Sequence, residues 1–184
     1  MTASPVKQQT TWKLDTNNTT VEFSVKKFMV TNVKGRFARF SGIITADEAN
    51  PALSSVSVSI DVASVDSRDE KRDAHLKSAD FFDVETYPTI TFESTRVERV
   101  GDDRYRVAGN LTIRDTTREV VLDTTFNGIG QTPWNTTVAA FTAETTVSRS
   151  DFGLTWNMAL EAGGVLVGDA IKISLEIQAT KQQA

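Results

Sequence analysis

The sequence predicts an all-β chain, an antiparallel up-and-down β-barrel of about eight strands with a short helical cap. Three observations predict it. Segments with alternating apolar and polar residues recur along most of the chain, as with Val56, Val58, Ile60 and Val62 against Ser55, Ser57, Ser59 and Asp61. That period of two marks a half-buried strand. Most neighbouring segments are joined by short turns, which force successive strands to pair antiparallel. One stretch, from Ser67 to Pro88, departs from the pattern and opens like a helix.

In chain order, residues Met1 to Thr10 are polar, carry Pro5 and read as a disordered tail, leaving 11–184 as a single domain. A first strand runs from Trp12 to Asp15 and Asn17-Asn18 makes a turn. Val21, Phe23 and Val25 then share a face of the next strand. Lys34 to Ala46 is β-like, but Phe37 and Phe40 fall on opposite faces of a regular strand, so a bulge or bend near Ser41-Gly42 is expected. Asn50-Pro51 turns the chain into the strand Ser55–Val62. Ser67 and Glu70 have the spacing of a capping box. The helical stretch they open carries the paired Phe81-Phe82 and stops at Tyr87-Pro88, where proline forces extended geometry on its neighbour.

Thr89 to Val100 is a further strand, ended by Gly101-Asp102-Asp103. Tyr105, Val107, Gly109, Leu111 and Ile113 share a face of the next, and Asp115-Thr116-Thr117 turns it. Val120, Leu122, Thr124 and Phe126 share a face of the one after, before a loop marked by Gly128, Gly130 and Pro133. Thr136 to Ser150 is β-prone. Asp151 to Gly168 breaks the pattern again, with Gly163-Gly164 as a flexible loop. The chain closes on Ile171, Ile173, Leu175 and Ile177, alternating with polar residues. A final strand this apolar would aggregate as an exposed edge, which favours closure into a barrel.

A net charge of −4 from 20 basic and 24 acidic residues argues against nucleic-acid binding, which wants a basic face. No apolar stretch approaches a membrane span, and no stable membrane insertion is expected. Cysteine is absent, which removes disulfides and thiolate chemistry. The opening MTASPVKQQTTW has no apolar core of a secretory signal. The expectation is therefore a cytoplasmic protein, or a periplasmic or secreted one whose leader has been removed.

His75 is the one histidine. As a base it would need a nucleophile and an orienting acid, for which Ser67, Ser78, Asp73 and Asp80 are the local candidates. None stands in a nucleophile motif, so no catalytic residue is assigned and His75 is expected to hydrogen-bond to the barrel rim. The acids Asp66, Asp69, Glu70, Asp73, Asp80 and Asp83 lack the spacing and turn glycine of a calcium loop, so no metal site is assigned. Asp73 and Lys77 stand four apart, as on a solvated helix face. What remains is apolar lining. Strands of this length, tilted as barrels require, enclose an interior on the order of 25 Å long.

The segments TWKLD, VEFSV, KGRFARFSG, RDEKRDAHLKSADFFDVETYPTITFES, VAGNLTIRDTTREVVLD, SRSDFGL and VGDAIKISLEIQA, in this order, resemble the YceI-like family over nearly all of Trp12 to Ala179. The RDAHL, DFFD and YP wording of the helical stretch is the most specific part. The resemblance implies a lipocalin-like bacterial barrel with a long apolar tunnel, capped by helical or loop segments and linked to binding of polyisoprenoids and related amphiphiles. Two departures are Lys27, where members often have histidine, and Asp115, where a turn glycine is usual; Asp tolerates that turn geometry.

The leading expectation is a non-enzymatic carrier or store for a long apolar amphiphile, an isoprenoid quinone, polyprenol or similar lipid, with no other cofactor. Phe23, Val58, Ile60, Phe92, Leu111, Phe126 and Phe141 are expected in the tunnel wall. Phe81, Phe82, Phe152 and Trp156 are expected at the mouth. Two rivals are a lipid ester or amide hydrolase using His75, and a packed barrel acting as a structural or protein-interaction module, for example as a homodimer through an exposed strand face.

Overall fold

The computed structural model describes residues 9–183. Its strands are β1 (Gln9–Leu14), β2 (Thr20–Lys27), β3 (Thr31–Phe37), β4 (Phe40–Asp47), β5 (Ser55–Asp61), β6 (Val65–Asp66), β7 (Thr89–Arg99), β8 (Arg104–Ile113), β9 (Thr116–Gln131), β10 (Thr137–Ser148) and β11 (Val167–Lys181). Among the described residues a single helix longer than a turn or so, α1 (Glu70–Lys77), lies between β6 and β7. The residues expected in the tail lie outside the described ones up to residue 8; Gln9 and Thr10 belong to β1.

These eleven segments form the eight staves of one closed barrel. β11 pairs antiparallel with β1 through Leu14 and Ala179, and with β2 through Thr20 and Glu176. β1 and β2 are thus one stave interrupted at Asp15–Thr19, not the hairpin implied by the Asn17-Asn18 turn. Inside the gap Thr19 replaces the missing ladder: its hydroxyl donates to the Gln178 carbonyl and accepts from the Gln178 amide, both at 3.1 Å. β3 and β4 likewise make the second stave, and β6 and β5 the third. β7 to β11 follow as a plain meander, and β11 returns to the first stave.

The second stave corrects one expectation. The irregularity falls at Ala38-Arg39, not at Ser41-Gly42. Both residues are exposed, while Phe37 and Phe40 on either side are buried. Two outward residues in succession restore the parity that an unbroken strand would lose, so both rings turn inward. The break is held by Ala38 N–H to the Ser64 carbonyl and Asp61 N–H to the Arg39 carbonyl. β9 also runs past the glycines expected to end it, through Gln131, with the turn at Thr132–Asn135.

The helix starts two residues later than the Ser67–Glu70 box implies. Asp69 is the cap, its Oδ1 accepting from the Lys71 and Arg72 amides at 3.1 Å. The Arg72 amide is the main reason its carboxyl sits below the ordinary range. Ser67 is buried instead: its hydroxyl donates to Asp73 Oδ1 at 2.6 Å and accepts from Arg72 Nε at 2.8 Å. Asp73 therefore faces the barrel rim and not Lys77. No residue of α1 is fully buried. The anchors of this segment lie just beyond the helix, at buried Phe81 and half-buried Phe82.

Candidate functional site

One end of the barrel, the mouth, gathers the β2–β3, β8–β9 and β10–β11 connections together with α1 and the segment behind it. The opposite end is solid. There Trp12, Val97, Val107, Ala139 and Ala179 are buried, and Phe126 stacks on Phe141 with ring centroids 5.3 Å apart. Between this floor and the mouth lies a cavity of about 490 Å³. Close-packed interiors hold few voids larger than a water molecule, and cavities of roughly 300–1,000 Å³ are the size of small-molecule sites. The barrel is hollow in its mouth-side half.

Burial along β11 records the same boundary. Its inward residues Ile171, Ile173, Leu175 and Ile177 all line the cavity and are only half-buried, whereas Ala179, next on that face, is fully buried. Aliphatic side chains left partly bare inside a closed sheet mean that nothing from the chain itself covers them. β2 supplies Val21, Phe23 and Val25 to the same wall, β5 supplies Val56, Val58 and Ile60, and β7 to β9 supply Ile90, Phe92, Leu111, Ile113, Val120 and Leu122.

Of the residues expected in the wall, Phe23, Val58, Ile60, Phe92 and Leu111 line the cavity. Phe126 and Phe141 do not; they belong to the floor. They share the inward face with Val120 and Leu122 but sit too far down the barrel axis, and alternation along a strand carries no information about height. All four residues expected at the mouth, Phe81, Phe82, Phe152 and Trp156, line the cavity. Phe81 and Trp156 meet at 5.4 Å, and His75 stands edge-on to both, at 5.0 and 4.5 Å. Phe82 packs edge-on against Phe37 at 5.9 Å. The cap and the segment after β10 are thus joined over the opening by one aromatic cluster.

His75 Nε2 lies 2.9 Å from Asp80 Oδ2, a partner within its own segment and not on the rim as expected. Among the described residues no hydroxyl hydrogen-bonds to the ring, and no group of three or more His, Asp or Glu side chains is placed to hold a metal ion.

Arg149 stands outside every sequence expectation. It is 6% exposed, just past the end of β10, and lines the cavity. Nε donates to the Gly168 carbonyl at 2.8 Å, Nη1 to Leu154 and Trp156 at 2.7 and 2.9 Å, and Nη2 to Val167 at 3.2 Å. One side chain therefore clasps the 149–156 segment to the start of β11. Burial pushes its pKa down, partly offset by Asp169, whose own carboxyl is lowered chiefly by the Ser148 and Ser150 hydroxyls. The other charged groups lining the cavity are Lys26, Lys27, Lys71 and Arg72 against Glu22 and Asp69, with His75 beside them. The site is an apolar blind pit with a polar, mostly basic collar.

A family model described as the YceI-like domain matches residues 12–179. A UPF0312 protein of Vibrio cholerae is 40% identical over 134 residues, 73% of this chain and 71% of that one. The crystal structure of Burkholderia cenocepacia BcnA matches with a TM-score of 0.79 at 27% identity, covering 90% of this chain and 98% of that one. A Saccharophagus degradans domain described as polyisoprenoid binding, and implicated in plant cell wall breakdown, shares the fold at a TM-score of 0.67 and 14% identity, over 91% of this chain and 97% of that one.

Proposed function

This chain belongs to the YceI-like family, and on that premise we propose that it binds a long apolar amphiphile, an isoprenoid quinone, polyprenol or similar lipid, for transport or storage. The tail fills the pit and the polar head stays at the collar. The observation that carries this reading is the row of half-bare aliphatic side chains on the inner face of β11, facing a cavity of about 490 Å³. Each methylene moved from water into such a site gains about 0.8 kcal/mol before ordering costs, so a chain lipid needs little beyond a continuous dry wall.

The blind floor favours a ligand with one apolar end and one polar end. The collar offers cations and hydrogen-bond donors where the head would lie. Binding without turnover is the favoured activity, because the ring of His75 is engaged by Asp80 and wedged between Phe81 and Trp156. The Saccharophagus domain suggests the lipid class; the shape and lining of the pit supply the argument.

Native mass spectrometry of protein purified without detergent tests this directly. The expected result is a bound lipid that leaves on activation in the gas phase and partitions into organic solvent. Protein observed only at its bare mass, and taking up no added polyprenol or quinone, would refute the proposal.

A further inference from the structure

We infer that the mouth of the barrel docks onto the surface of an anionic lipid bilayer. Two short ribbons project there. The first is the tip of the β2–β3 hairpin, Phe28-Met29-Val30, whose side chains are 52%, 57% and 80% exposed. The second is formed by residues 158–166, where Ala159 bridges Val165 and the turn is made at Gly163 and Gly164. It carries Met158 and Val165, 56% and 43% exposed. Leu166 N–H closes the second ribbon on the Met158 carbonyl, and Phe28 N–H, donating to the Leu166 carbonyl, ties the first ribbon to it. Five large apolar side chains thus stand bare on one small tied unit, and Leu166, Lys26 and Lys27 of the same unit line the cavity.

The backbone makes this placement costly. Phe28 and Met29 both hold the left-handed conformation, with φ of 52° and 64°. Turns that need this geometry favour Gly, Asn or Asp, and bulky residues in it are uncommon. Spending it on Phe and Met, with each side chain more than half exposed, makes sense where the solvent-side surface has an apolar occupant.

Charge identifies that occupant. The chain as a whole carries a net charge of −4. The tied unit carries the opposite sign: its residues 26–30 and 158–166 hold Lys26 and Lys27 against the single acid Glu161, and Lys27 Nζ lies 5.3 Å from the Phe28 ring. Glu161 on the second ribbon is the acid nearest the apolar tips in sequence. Apolar tips flanked by cations suit an interface of acyl chains beneath anionic head groups, and the repelled acidic body would orient the mouth downward. Convex ribbon tips, and not a groove, fit a deformable bilayer better than a rigid protein face.

Co-sedimentation with large unilamellar vesicles tests the inference. Vesicles of phosphatidylcholine alone are compared with vesicles that also contain phosphatidylglycerol, using delipidated protein so that the outcome is independent of what fills the pit. The expected result is preferential binding to the anionic vesicles, weakened by added salt. The pair Met29→Ser with Val30→Ser should lower that binding by roughly tenfold or more, without altering the unfolding midpoint or uptake of lipid into the cavity, which neither residue lines. Trp134→Ser, which removes an 82% exposed ring at the far end, should leave it unchanged. Equal binding by the paired variant and the wild type, indifference to lipid charge, or no sedimentation would each overturn the inference. So would a wild-type dimer in solution that the paired variant abolishes while vesicle binding stays absent; that result would mark the tips as a contact between copies. Vesicle docking can fail while lipid retention stands, and the reverse, so the two proposals fall separately.

Discussion

Replacing Arg149 with methionine is expected to lower the unfolding free energy by about 3–5 kcal/mol. Methionine keeps an unbranched apolar stem but removes every donor. The carbonyls of Leu154, Trp156, Val167 and Gly168 then lose an N–H partner in a site that is 6% exposed. A buried acceptor left unpaired costs about 1–3 kcal/mol, and the total falls short of four such costs because the Val167 carbonyl keeps the Asn157 Nδ2 donor and water can enter from the mouth. Arg149→Lys keeps the charge, yet three donors on a single nitrogen cannot span carbonyls on two segments, so it should recover less than half of the loss. Denaturant unfolding at constant m-value measures both. A change under about 1 kcal/mol for the methionine variant would show that the clasp is dispensable.

Leu175→Trp should abolish lipid retention, cutting the co-purifying ligand at least roughly tenfold, while leaving stability unchanged or improved. Overpacking a filled core costs about 1–3 kcal/mol. Leu175 faces the cavity, so a larger ring there covers bare wall and displaces nothing but solvent or ligand. Ala179→Leu is the matched control: same strand, same face, four residues on, but fully buried in the floor. It should destabilise the protein by the overpacking cost and leave retention of lipid intact. If Leu175→Trp destabilises as much as Ala179→Leu, the upper half of the barrel is as solid as the lower.

The strand faces and the antiparallel run from β7 to β11 were legible because alternation reports which side chains face inward, but it could not show that β1 and β2 are one stave and not a hairpin. Alternation says nothing of depth, and Phe126 and Phe141 show the consequence. Read by face they belong with Leu122; read by height they are floor. Nor does it distinguish a wall from a packed layer, since Ile173 and Ala179 keep the same parity. The mouth aromatics were legible because they sit where the period breaks. The inward residues of β11 signalled closure in the sequence but not that they line a cavity, although they form one of the longest unbroken rows of the wall. Arg149 had no signal at all. Its role depends on carbonyls up to 19 residues away, which only the fold brings within reach. The cap at Asp69 was hidden by a better-spaced Ser67–Glu70 pair, and Ser67 was claimed by Asp73 and Arg72.

The three interrupted staves break side by side, at Asp15–Thr19, Ala38-Arg39 and Val62–Ser64, so a single crease crosses that flank of the wall. Above it, among the described residues, β6 has no ladder to β7. The panel above the crease is therefore held by the β2–β11 ladder on one side and, on the other, by packing of the α1 segment, such as Phe82 against Phe37, instead of strand pairing.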